Sequence, residues 1–129
     1  MFVNYTESQQ ALRREFRAYF SKLIKPEHRD ELRNAESGEL YKSLVRQQGK
    51  DGMLAVGWPE EYGGKNLSIM ENVVLAEEFA RAKAPLRADF FGDTLVGPTI
   101  LQWGTEEQKQ EFIPKIQSGE ISWCQGFSE

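Results

Sequence analysis

Apolar positions recur at helical spacing in several stretches of the chain, and three of those stretches open with the same local device. Thr6 with Gln9, Ser68 with Glu71 and Thr105 with Gln108 each set a hydroxyl residue three positions ahead of an amide or acid. Such a pair satisfies two backbone amides that a helix start leaves without partners, so each predicts a helix N-terminus. After Thr6, the residues Leu12, Phe16, Tyr19 and Leu23 follow at intervals of three and four, and the helix is expected to end near Ile24, ahead of Pro26. After Ser68, the stripe Ile69, Val73, Ala76, Phe79 and Ala80 stops before Pro85. After Thr105, Phe112, Ile113 and Ile116 mark one face of a helix that finishes before Gly119. Leu40, Leu44 and Val45 predict a further helix to about Asp51, with Gly52 supplying the left-handed residue that closes it. The predicted helices therefore lie near 7–24, 39–51, 69–83 and 106–117.

The segments between them read differently. Positions 26–38 are charged and weakly periodic, which predicts a loop with room for one short helical turn. Positions 53–66 carry Gly57, Pro59, Gly63 and Gly64, which interrupt a helix, while Met53, Leu54, Val56, Trp58 and Tyr62 still require burial. A packed irregular loop is expected there, pinned to the helices by a buried Trp58. Positions 93–103 are helical in pattern but contain Gly97 and Pro98, so a kink or a late start is expected. From Glu120 the text changes again: ISWCQGF is aromatic and β-branched, and predicts an extended segment at 121–127. A lone strand has no sheet to join, so another domain is expected to begin there.

Composition narrows the classes. At 129 residues with 40% apolar and 28% charged positions, the chain has the make-up of one folded domain. A net charge of −4 argues against a nucleic-acid surface, which needs concentrated Lys and Arg. The single cysteine, Cys124, allows no internal disulfide, the N-terminus lacks the layout of a secretory signal, and no apolar run approaches the length that spans a bilayer. A cytoplasmic setting is the expectation.

No self-sufficient active site is written in the chain. His28 stands in a charged loop without the second histidine or cysteine that zinc requires, and Cys124 has no histidine in its segment. Adjacent acids such as Glu77 with Glu78 and Glu106 with Glu107 point in different directions on a helix and read as solvated faces. Gly63 and Gly64 lack the lysine and hydroxyl of a phosphate loop. Arg13, Arg14 and Arg17, interleaved with acids, read as an exposed polar face, and Phe16, Tyr19 and Phe20 as core.

Three segments in order nevertheless carry a resemblance. WPEEYGG at 58–64, GTEEQKQEFIPKIQSGE at 104–120 and WCQGFSE at 123–129 resemble the acyl-CoA dehydrogenase family, in the part that forms its N-terminal helical domain. The details of 51–64 are similar to actinobacterial members acting on steroid side-chain or related bulky acyl-CoA thioesters. The resemblance implies an all-α bundle over 1–120, followed at 121–129 by the start of a middle β-domain. It implies a larger subunit with a β-barrel and a C-terminal helical bundle, assembled as a homo- or hetero-tetramer. It also implies FAD as cofactor, electron-transfer flavoprotein as acceptor, and α,β-dehydrogenation of an acyl-CoA substrate to the trans-2-enoyl-CoA.

The family's catalytic carboxylate lies in a part this sequence does not match, so no catalytic residue is carried over. Its flavin-contacting turn does reach the chain at Gln125, Gly126, Phe127 and Ser128. The resemblance assigns cofactor binding to Gln125, to the amide of Phe127 and to the hydroxyl of Ser128, where many members have threonine. Fixed donors at that edge suit the negative charge that reduction places on the flavin. The family's acyl-lining region corresponds to 90–101 and nominates Phe90, Phe91, Thr94 and Leu95, for each of which ordinary core packing stands as the alternative. For the chain as a whole, the alternative is a non-catalytic helical interaction or subunit-docking domain of the same ancestry.

Overall fold

The structure is a computed structural model that describes residues 4–34, 38–85 and 91–126. Its helices are α1 (Glu7–Leu23), α2 (Arg29–Asn34), α3 (Glu39–Lys50), α4 (Ile69–Ala82), α5 (Gly97–Trp103) and α6 (Glu106–Ser118). All three predicted capping boxes form, with the Thr6, Ser68 and Thr105 side chains accepting from the amides of Gln9, Glu71 and Gln108. These starts are legible in sequence because every partner lies within one turn. α3 closes as expected, through Asp51 into Gly52 at φ +65°.

α1 and α4 pack side by side and carry the larger core. Phe16, Phe20, Ile24, Leu44, Val74 and Ala84 are buried together there, and Phe20 meets Tyr19 and Phe79 edge to face at 5.1 and 5.5 Å. Tyr19 also donates from its hydroxyl to Asp51 Oδ2 at 2.8 Å, tying α1 to the end of α3. A second core gathers Trp58, Ile113 and Ile116 under α6. Pro114 sits inside α6 without ending it, flanked by the fully buried Ile113 and Ile116.

The loop at 53–66 is the packed turn the sequence predicts. A short 3-10 turn at Glu60–Tyr62 ends on Gly63 at φ +81°, and the chain folds back so that Lys65 and Leu67 both donate to the Val56 carbonyl. A Cβ on Gly64 would fall 1.9 Å from the Trp58 carbonyl oxygen, so that position admits only glycine. Trp58 itself is 8% exposed, and its ring lies where a Cβ on Gly97 would be, 2.2 Å away. The tryptophan thus pins the glycine turn to the start of α5, as expected.

Four expectations are corrected. The charged stretch after Pro26 is more ordered than a loop: a 3-10 turn at Pro26–His28 runs directly into α2, whose Leu32 packs on the first core. Of the stripe read on α4, only Phe79 packs on the core. Val74 and Glu78 are buried, while Ile69 is 84% exposed and Met70 and Val73 are also exposed. Periodicity locates an apolar face but not the partner it meets, and α1 meets the neighbouring face. Glu78 is therefore not a solvated residue, and Arg17, exposed as expected, is committed with Arg13 to the acids of α4.

The fourth correction concerns 121–127, which is not a strand over its described part. Ile121 is in a bend, 122–126 has no regular element, and the described residues hold no strand at all. A strand exists only through hydrogen bonds to a neighbour, and this helical chain offers no sheet edge. Between α4 and α5 the sequence anticipated a kink or a late start, and the structure provides a single wide π turn, Gly92–Val96, immediately ahead of Gly97 and Pro98.

Candidate functional site

The buried charge comes first, because it fixes the helix pair on which the rest stands. Glu78 is 2% exposed on α4. Arg17 reaches it from α1 with Nε to Oε2 at 2.9 Å and a terminal nitrogen to Oε1 at 2.7 Å, and Arg81 donates Nε to Oε2 at 2.6 Å. Arg13 pairs with the neighbouring Glu77 and lies over the Tyr5 ring at 4.1 Å. The two-pronged bond from Arg17 dominates the titration of Glu78, outweighs the opposing effect of burial, and with Arg81 holds the carboxyl down at about 2. A carboxylate so committed is ionised and hydrogen-bonded on both oxygens, so it is a joint between helices and a poor proton acceptor. Its sequence signal is the i,i+4 spacing of Arg13 and Arg17 opposite Glu77 and Glu78.

The predicted acyl-lining residues fall on the π turn. Phe91 sits at its entry, half-buried, while Thr94 and Leu95 face outward, Leu95 at 48% exposure. Core packing within this chain therefore accounts for neither Thr94 nor Leu95. The wide turn is held by the Thr99 hydroxyl, which donates to the Leu95 carbonyl at 2.6 Å. π turns interrupt helices and recur at functional sites because they swing side chains out of the helical register. Phe90 lies outside the described residues.

One turn further on, Val96, Thr99, Ile100 and Trp103 of this helix line a groove of about 340 Å³ with Gln108 and Phe112 of α6 and with Trp123. Trp123 packs edge to face on Phe112 at 5.7 Å, which anchors the segment beyond α6 onto the helical body. Gln125 follows two residues later and is exposed, and Phe127 and Ser128 lie outside the described residues. The structure thus unites Phe91, Thr94 and Leu95 on one turn and brings the segment leading to Gln125 against the same helical end. Trp103, 81% exposed at the tip of α5, was missed from sequence, where a tryptophan before Gly104 was read simply as a helix end. Among the described residues no cluster of His, Cys, Asp and Glu could hold a metal ion, and no helix is long and apolar enough to cross a membrane.

Comparison with known proteins gives this geometry its lineage. The family "Acyl-CoA dehydrogenase, N-terminal domain" matches residues 6–120, and the chain belongs to the acyl-CoA dehydrogenases. Among curated relatives, the acyl-CoA dehydrogenase FadE26 of Mycobacterium tuberculosis is 41% identical over the whole chain, which corresponds to 33% of the relative. Among solved structures, the ChsE4-ChsE5 complex from Mycobacterium tuberculosis superimposes with a TM-score of 0.81 at 44% identity, over 94% of this chain and 30% of that one. The Tcur3481-Tcur3483 steroid ACAD gives 0.78 at 41% identity, over 95% and 32%. The chain spans about a third of the length of these relatives.

Proposed function

We propose that this chain forms the helical N-terminal part of an FAD-dependent acyl-CoA dehydrogenase that converts a steroid side-chain or similarly bulky acyl-CoA to its trans-2-enoyl-CoA. The observation that carries the reading is the π turn, which turns Thr94 and Leu95 outward in a chain whose family acts on acyl-CoA. In this reading Phe90, Phe91, Thr94 and Leu95 line one wall of the acyl site, and Gln125, the Phe127 amide and the Ser128 hydroxyl hold the pyrimidine edge of the flavin.

The donor set fits that edge. Gln125 is exposed and carries an amide donor, and the two groups that follow are donors as well. FAD supplies the acceptor for the hydride that leaves the β-carbon. This chain's residues orient the thioester, exclude water from its apolar portion and keep donors fixed where negative charge develops. The base that takes the α-proton lies outside the matched part of the family. Electron-transfer flavoprotein as acceptor, a homo- or hetero-tetramer as assembly, residues 121–129 as the start of a β-domain and a cytoplasmic location all belong to the same proposal.

Ser128→Ala in the complete protein tests it. Loss of one neutral donor should lower the flavin's reduction potential, at a cost of roughly 1 kcal/mol to the charged form, with flavin content kept by the Phe127 amide. Full flavin content with an unchanged potential and unchanged acyl-CoA reduction would reduce Ser128 to a turn residue. The exposed face of α4, Ile69, Met70 and Val73, favours a second reading: a non-catalytic subunit-docking domain of the same ancestry. A complete protein that assembles with a partner but neither binds flavin nor turns over acyl-CoA would support that one.

A further inference from the structure

We infer that the cavity between α2 and the end of α4 is a binding site for a small molecule bearing a pyrophosphate or comparable run of phosphate charge. The cavity holds about 510 Å³ and is lined by Arg29 and Arg33 of α2 and by Arg81 and Lys83 at the end of α4. Ile24, Leu32 and Ala82 complete its wall with apolar surface. In a chain of net charge −4, these four cations converge on one concavity.

Their convergence on one hollow sets them apart from the other cations of the surface: Arg14, Lys22, Arg46, Lys50 and Lys65 also lack a carboxylate partner among the described residues but do not line this cavity. Arg13, Arg17, Lys25, Lys42, Lys109 and Lys115 each have a carboxylate partner. Arg29, Arg33 and Lys83 have none among the described residues. Arg81 is braced by Glu78 through its Nε alone, which leaves its two terminal nitrogens for a ligand and fixes the guanidinium in place. The acids of α2 itself, Asp30 and Glu31, do not line the cavity. Four like charges gathered round a hollow repel one another, and an anion placed among them relieves that repulsion.

Lys83 offers a position at which charge and fold can be separated. It caps α4 in the left-handed conformation at φ +53°, a position that glycine fills without cost. The lysine side chain there stands at the rim of the cavity, where a glycine would leave no charge.

The size and chemistry of the hollow select the ligand. Its volume of about 510 Å³ falls in the range of small-molecule sites, roughly 300 to 1,000 Å³. Arginine forks match phosphate oxygens two at a time, and four cations balance the three or four charges of a diphosphate or triphosphate ester. The apolar wall of Ile24, Leu32 and Ala82 then suits a ring attached to the phosphates. Inorganic pyrophosphate, a free nucleotide and coenzyme A share this chemistry. The proposal stands apart from the catalytic reading and does not depend on it.

Calorimetric titration of the complete protein at low salt, with pyrophosphate, ADP and coenzyme A in separate arms, tests the site. Saturable binding is expected, weakened by salt and lowered about tenfold or more in Arg29→Gln/Arg33→Gln, since a hydrogen bond to a charge is worth roughly 1.5 to 3 kcal/mol. Equal affinity for pyrophosphate and ADP would assign recognition to the phosphates alone, and tighter binding of ADP or coenzyme A would add the apolar wall. Lys83→Gly separates binding from folding: it should keep or raise the melting temperature while weakening the ligand. No saturable binding in any arm, affinities unchanged in both variants, or binding of a glutamate-rich peptide in place of all three probes would overturn the proposal.

Discussion

The two long faces of α4 are sorted against expectation. The face turned to α1 carries a carboxylate, Glu78, at full burial, while the opposite side sets Ile69, Met70 and Val73 in solvent. The inner face is stabilised by charge because each carboxylate oxygen has a donor and the arginines keep part of their surface in water. The outer face has the composition of a core without a core to join, and apolar patches of that kind mark surfaces that meet another body. The difference teaches that apolar patterning on α4 does not mark its buried side, since the side met within this chain is joined through a carboxylate.

Several substitutions sharpen or break this comparison. The largest effect is expected away from α4, at the second core, which serves as the reference for an ordinary apolar joint. Trp58→Ala should cost about 3 to 5 kcal/mol in urea unfolding, since it removes the ring that joins the glycine turn to α5. A loss under about 1 kcal/mol would show that the turn holds itself.

Next comes the charged joint. Glu78→Gln should cost roughly 2 to 3 kcal/mol at neutral pH, less than a fully buried pair would because the arginines are partly hydrated. The pH dependence has a definite sign. The folded carboxyl titrates at about 2, below its ordinary value of 4.5, so its stabilisation is complete above 4.5 and is lost as pH falls toward 2. The wild-type chain should lose stability through that window more steeply than Glu78→Gln, and parallel curves would remove Glu78 from its role.

The smallest effect is expected on the outer face. Val73→Ser should change the stability of residues 1–129 by less than about 0.5 kcal/mol, as exposed substitutions do. In the complete protein the same change should weaken assembly or lower the melting temperature by several degrees. Equal, negligible effects in both settings would mean that nothing covers α4.

This contrast also explains how much the sequence could reveal. Helix starts at Thr6, Ser68 and Thr105 were readable because a capping box is complete within four residues. The glycine turn and the burial of Trp58 were readable because Gly63 and Gly64 interrupt a run of large apolar residues. The burial of Glu78 was not, because its two-pronged bond comes from Arg17, 61 positions away on α1. α2 was legible only as room for one short turn for the same reason: its anchor is Leu32 on a core assembled by other helices. At the candidate site, the correspondence of 90–101 to the family's acyl-lining region nominates Thr94 and Leu95, and the π turn shows how they come to face outward. Phe90 rests on that regional correspondence, and Phe127 and Ser128 on the family's flavin-contacting turn, since all three lie outside the described residues.

The central claim, that this chain belongs to a working flavin-dependent dehydrogenase, is tested most directly by anaerobic titration of the complete, FAD-loaded protein with a steroid side-chain acyl-CoA. Flavin absorbance should bleach in proportion to the thioester added, with trans-2-enoyl-CoA formed in equal amount, while residues 1–129 alone give neither signal. A complete protein that holds FAD and stays oxidised with every acyl-CoA offered would contradict the account.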